Sequence, residues 1–133
     1  MLLMAVAVLQ TACAQKIPDA VKTSFNTKYP NTNVSKWDVD RNGNFEAHFK
    51  IKNISYNADF KKDGSWIETE TSVDYMDLPE SIKAVLKNEY SDWKIVELEL
   101  VDHHSKGKFY DLEIKKGKVK KDVEVTEQGQ VIN

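Results

Sequence analysis

With 133 residues, 30% of them charged and 41% hydrophobic, the chain is long enough to bury a real core and is too apolar for a disordered tail. Net charge is −2 with both signs interspersed, which gives no basic footprint for nucleic acid and no acidic block for a cationic partner. A single cysteine excludes a disulfide framework within the chain.

The first residues read as an export signal. Leu2 to Leu9 form an apolar run too short to span a bilayer, and it ends at Gln10-Thr11-Ala12-Cys13-Ala14-Gln15. Ala12 and Ala14 meet the small-x-small rule for cleavage after Ala14, so residues 1–14 are expected to be a signal peptide. No Lys or Arg precedes the run, which leaves room for a few further residues upstream of this start. A lipid anchor on Cys13 is the alternative. It is disfavoured because Gln10 stands where Leu is usual and Leu9 is one residue out of register.

The remainder, 15–133, is expected to be one domain of two repeats, about 17–72 and 78–133. Ile17-Pro18-Asp19, Lys22, Phe25 and Tyr29 recur as Leu78-Pro79-Glu80, Lys83, Leu86 and Tyr90, each 61 residues later. Each set opens a helix. Proline suits the first turn, the acid beside it suits the positive end of the helix dipole, and the apolar residues form one stripe.

Strands follow by period-two alternation. Trp37 and Val39 oppose Lys36, Asp38 and Asp40, and Asn42-Gly43 signals a two-residue hairpin. Phe45, Ala47, Phe49 and then Ile54, Tyr56, Ala58, Phe60 alternate with polar residues, and Asp63-Gly64 turns into a fourth strand near Trp66–Thr71. In the second copy the shift grows to 65, which sets Phe45, Ala47 and Phe49 against Tyr110, Leu112 and Ile114, and a short last strand is expected at Val131. The expected fold is α+β: two tandem helix-plus-antiparallel-strand repeats forming one curved antiparallel sheet, with helices on one face.

The pattern of Ile/Leu-Pro, Lys, Phe/Leu and Tyr, then Lys36-Trp37, then Asp63-Gly64, resembles the PepSY-like family of secreted bacterial proteins. Those proteins have a fold similar to the β-lactamase inhibitory protein, in which tandem repeats build a concave sheet. The resemblance spans Ile17 to Asn133, although the second copy has Tyr90-Ser91 for Tyr29-Pro30 and Leu98 for Trp37. It implies a periplasmic or surface binding module and supplies no catalytic residue.

Candidate chemistry is sparse. His103-His104 beside Asp102 reads as a hairpin tip, because adjacent residues rarely chelate one metal. His48 lies on a polar strand face within reach of Asp38, Asp59 or Glu46, where it reads as a charge neighbour. Asp38 to Gly43 lacks the Glu that would close a calcium loop, Phe49 standing in its place. No nucleophile elbow or phosphate loop is present. Catalytic residues, metal ligands and cofactors are therefore all assigned as none, and no enzymatic activity is expected.

The charged sheet face remains. Glu46, His48, Lys50, Asn57 and Asp59 are expected to align with Asp111, Glu113, Lys115, Lys120, Asp122 and Glu124. Glu46, His48, Lys50, Asp111 and Glu113 are the candidate partner-binding residues, with Trp66, Trp93 and Phe109 as aromatic anchors if exposed. The first functional expectation is a non-enzymatic exported binding or inhibitor-like module serving another envelope protein or peptide. The alternatives are a structural envelope protein and, remotely, a metal-assisted hydrolase around His48 or His103. An exposed aromatic cluster would favour the first, and a uniformly charged, aromatic-free face the second.

Overall fold

A computed structural model describes residues 15–133, so the signal-peptide and Cys13 assignments lie outside the described residues. Helix α1 (Asp19–Lys28) precedes strands β1 (Val34–Val39), β2 (Phe45–Ile51), β3 (Ile54–Phe60) and β4 (Trp66–Ser72). A single 3₁₀ turn, Tyr75–Asp77, leads into α2 (Glu80–Glu89), followed by β5 (Lys94–His103), β6 (Gly107–Lys116) and β7 (Val119–Val125). The seven strands form one antiparallel sheet in chain order.

Register places both helices on the same face. Phe45, Ala47 and Phe49 stand opposite Phe60, Ala58 and Tyr56, and Leu112 stands opposite both Leu98 and Val123. The first half packs Val21 and Phe25 of α1 on Phe45, Ala47, Phe49, Ala58 and Phe60. In that core the Phe25 ring meets Phe49 edge-on at 5.1 Å and Trp37 at 5.8 Å. The second half is aliphatic, with Ile82, Val85 and Leu86 of α2 on Leu98, Leu112, Ile114, Val123 and Val125. Pairing of β4 with β5, from Glu68↔His103 to Ser72↔Glu99, joins the halves.

The two halves share one irregularity at the same relative place. One residue bulges from the ladder between Val34 and Lys36, and another between Ile95 and Glu97, so Ser35 and Val96 occupy the same position 61 residues apart. A third bulge falls at Ile67. Such bulges bend their strands and curve the sheet.

Two expectations change. The first hairpin is not a two-residue Asn42-Gly43 turn. The Asp40 N–H donates to the Asn44 carbonyl and the Gly43 N–H to the Asp40 carbonyl, which closes a five-residue loop. The Asp40 carboxylate stabilises it by accepting from the Asn42 and Asn44 N–H groups at 2.7 and 2.9 Å. The last segment forms one bridge, Val125↔Val131, and not a strand.

Candidate functional site

The face of the sheet away from the helices is a band of carboxylates. Asp38, Glu46, Asp59 and Glu68 stand directly opposite one another on β1 to β4. Glu99, Asp111 and Glu124 form a second row on β5 to β7, and Glu97, Glu113 and Asp122 a third. With Glu70 beside them, these are eleven of the chain's 21 acidic residues. The expectation of no acidic block for a cationic partner changes here: acids dispersed along the sequence are concentrated in space, because period-two alternation sends every second residue to one face. Basic residues gather at the ends of the band, Lys94, Lys115 and Lys120 in one row.

Like charges directly opposite on neighbouring strands oppose folding, and the carboxylates respond. Desolvation pushes Glu70 up to about 8, aided by Glu99 and Glu68. Desolvation also raises Asp59 and Glu99 to about 7, reinforced by Glu46 and Glu68 for the former and by Glu97 and Asp111 for the latter. Burial raises Asp111 as well, with Asp122 and Glu124 adding to it. Its Oδ1 is a buried side-chain oxygen with no hydrogen-bond partner. Glu97, Glu99, Asp111, Glu113 and Asp122 line a hollow of about 160 Å³. Partial relief comes from Lys120 on Glu113 and from Lys106, which reaches both oxygens of Glu124 at 2.7 Å.

At the β1 edge His48 Nε2 lies 2.9 Å from Asp38 Oδ2 and 3.7 Å from Glu46 Oε2. Lys36 Nζ sits 2.7 Å from the same Asp38 oxygen. Asp38, Glu46 and His48 together could hold a metal ion.

Of the expected partner-binding residues, Glu46, His48, Lys50, Asp111 and Glu113 share this open face. The aromatic anchors do not. Trp66 pairs with Phe60 on the helix-covered face, packs on the first core and donates its indole N–H to Thr69 Oγ1 at 3.0 Å. Trp93 packs on the second core, edge-on to Tyr90 at 6.4 Å. Phe109 does point to the open face but is only 3% exposed, paired with Val101 at 1% beneath the Lys106 ammonium. Asp38, Glu68, Glu70, Glu97 and Glu99 belong to the band and were not among the expected site residues. The alternations Glu68-Thr69-Glu70 and Glu97-Leu98-Glu99 carried the signal.

A second hollow, of about 240 Å³, lies on the helix side at the seam of the halves, lined by Tyr56, Thr69, Thr71, Leu100, Asp102 and Lys108. The Tyr29 hydroxyl is hydrogen-bonded to Thr69 at its wall.

Among known proteins, the family described as "Putative beta-lactamase-inhibitor-like, PepSY-like" matches residues 10–54 and residues 43–133. No curated protein matches the sequence. A DUF2874 family protein of Bacteroides ovatus is 23% identical with a TM-score of 0.76, covering 90% of this chain and 86% of its own. A BLIP-like protein of Bacteroides fragilis is 19% identical with a TM-score of 0.76 and the same coverage. A "putative periplasmic" protein of Bacteroides eggerthii is 20% identical with a TM-score of 0.75, covering 90% of this chain and 88% of its own. At these identities the likeness shows the fold alone.

Proposed function

We propose that this chain, which belongs to the PepSY-like, β-lactamase-inhibitor-like family, is an exported, non-enzymatic module whose open sheet face receives a basic surface of another envelope protein or peptide. The observation that carries this reading is the carboxylate band itself. A face that only met solvent would intersperse its charges. Here like charges face each other across rows, and the buried Asp111 oxygen has no partner. Features that cost stability in this way point to a functional surface. Lysine or arginine side chains laid across the rows would neutralise them, steering encounter and fixing register.

The face presents no exposed aromatic ring among the described residues, so recognition proceeds through charge and not through aromatic anchors. The same observation favours a second reading, a structural protein holding a larger envelope assembly. Export is supported by the apolar leader at residues 1–14 and by the periplasmic description of a structural neighbour. No helix among the described residues is long and apolar enough to cross a membrane.

The test is paired capture from periplasmic extract, with the native protein and a Glu97→Lys/Glu113→Lys variant as baits. The proposal expects a component retained by the native face, lost on charge reversal and released by moderate salt. Equal retention by both baits would refute docking on this face. A retained set made only of large envelope assemblies would favour the structural reading.

A further inference from the structure

Beyond any partner on the open face, we infer that Asp38, Glu46 and His48 form a binding site for one divalent transition-metal ion of the zinc class. The backbone assembles the site. Glu46 and His48 are two apart on β2 and so point the same way, and Asp38 on β1 stands directly opposite Glu46. All three donor atoms lie within 4.8 Å of one another. Zinc–ligand bonds of about 2.0–2.2 Å at tetrahedral angles place donors about 3.3–3.6 Å apart. The spacings from His48 Nε2, 2.9 Å to Asp38 and 3.7 Å to Glu46, bracket that range, so small side-chain adjustments close the set.

The donor chemistry selects the ion. One imidazole nitrogen with two carboxylates suits zinc, cobalt or nickel, whereas calcium and magnesium prefer an all-oxygen shell. Three protein donors leave a fourth position open to water or to a group from outside. Asp59 stands opposite Glu46 as the next carboxylate of the row, so the site sits in a negative field that favours a dication. Lys36, whose ammonium sits on the Asp38 oxygen that the ion would use, is a built-in competitor. The site shares Asp38 and Glu46 with the first row of the band, so its zinc affinity is measured on the protein alone, with no docking partner present.

Zinc chloride titrated calorimetrically into chelator-treated, desalted protein tests the inference. One Zn²⁺ per chain is expected, with His48→Gln weakening it at least tenfold and Lys36→Met tightening it several-fold. His104→Ala is expected to leave the affinity unchanged, and tenfold excess Ca²⁺ should not displace the zinc. Absence of binding, full-strength binding by H48Q, or loss of binding in H104A would each overturn the site. Should H48Q lose its native circular dichroism, Asp38→Asn carries the test: undiminished zinc binding by folded D38N overturns it equally.

Discussion

Gly64 lies against the first turn of α1, where a Cβ added to it would sit 2.7 Å from the carbonyl oxygen of Ala20. The second half repeats the contact more loosely, a Cβ on Gly129 falling 3.2 Å from the Ser81 oxygen. Both glycines occupy the fourth position of a five-residue hairpin loop, as does Gly43, whose Cβ position is open. All three have positive φ, at 81° for Gly43, 89° for Gly64 and 86° for Gly129. Alanine should therefore cost about 1 kcal/mol at Gly43 for backbone conformation alone. At Gly129 the cost should be larger, and at Gly64 it should reach about 3 kcal/mol or more, because a helix backbone must move. Urea unfolding of G43A, G129A and G64A tests the order. Equal losses at all three would mean that the hairpin loops do not pack on the helices.

Phe109 marks the limit of reading faces from alternation. Its parity places it on the open face, yet with Val101 it is buried there, an apolar pair within the carboxylate band. Phe109→Ala should cost about 3–5 kcal/mol, as for a core aromatic. A binding anchor would instead lose partner affinity at unchanged stability. Thermal and urea unfolding of F109A separates the two, and a loss below about 1 kcal/mol would show the ring to be exposed in solution.

Much of this architecture was legible in the chain because packing repeats and polar faces do not. Phe25 and Leu86, and Ala47 and Leu112, occupy matching positions since each fills the same place between helix and sheet, while Pro18 and Pro79 each stand immediately before a helix. The charge band was harder to see. Net charge averages over a sequence in which acids alternate with apolar strand residues while many lysines fall in helices and turns. Only the strand register reveals that Glu46, Asp59 and Glu68 share a row. Trp66 was ambiguous for a different reason: the bulge at Ile67 breaks the alternation that would have assigned its face.

Stability should fall as pH rises from about 5 to 8. Glu70 and Glu99 have ordinary values of 4.5 but about 8 and about 7 in the fold. Between those values the native chain holds protons that the unfolded chain has released, so raising pH favours unfolding. Below about pH 4 the opposite group takes over. The Lys36 ammonium, by hydrogen bonding, holds Asp38 below its usual range, and the Asn44 backbone N–H does the same for Asp40. The stabilisation from those two acids is lost as pH falls through their lowered values. A maximum near pH 5 is expected in Tm, and Glu70→Gln should raise Tm at pH 8 by about 3 °C while changing it little at pH 5. A Tm that climbs steadily from pH 5 to 8 would contradict the repulsion inferred for the band.

Salt offers an independent handle on the same repulsion. The Debye length shrinks from about 10 Å at 0.1 M to about 3 Å at 1 M, whereas neighbouring carboxylates in a row are carried on Cα atoms about 4.5–5.5 Å apart. Sodium chloride should therefore screen contacts between rows strongly and those within a row in part. If the ion pairs of Lys36, Lys106 and Lys120 dominated, added salt would lower stability; the lysine end of each pair is exposed, so each contributes little. Repulsion should win, and Tm at pH 8 should rise by a few degrees between 0.05 and 1 M NaCl. General salting-out would produce a rise at any pH, so the discriminating measurement is the same titration at pH 5. There the protonated Glu70 and Glu99 leave less charge to screen, and the rise should shrink. A Glu70→Gln/Glu99→Gln variant should show the smaller rise already at pH 8. Identical salt responses at both pH values and in the variant would place the destabilising charges elsewhere than on this face.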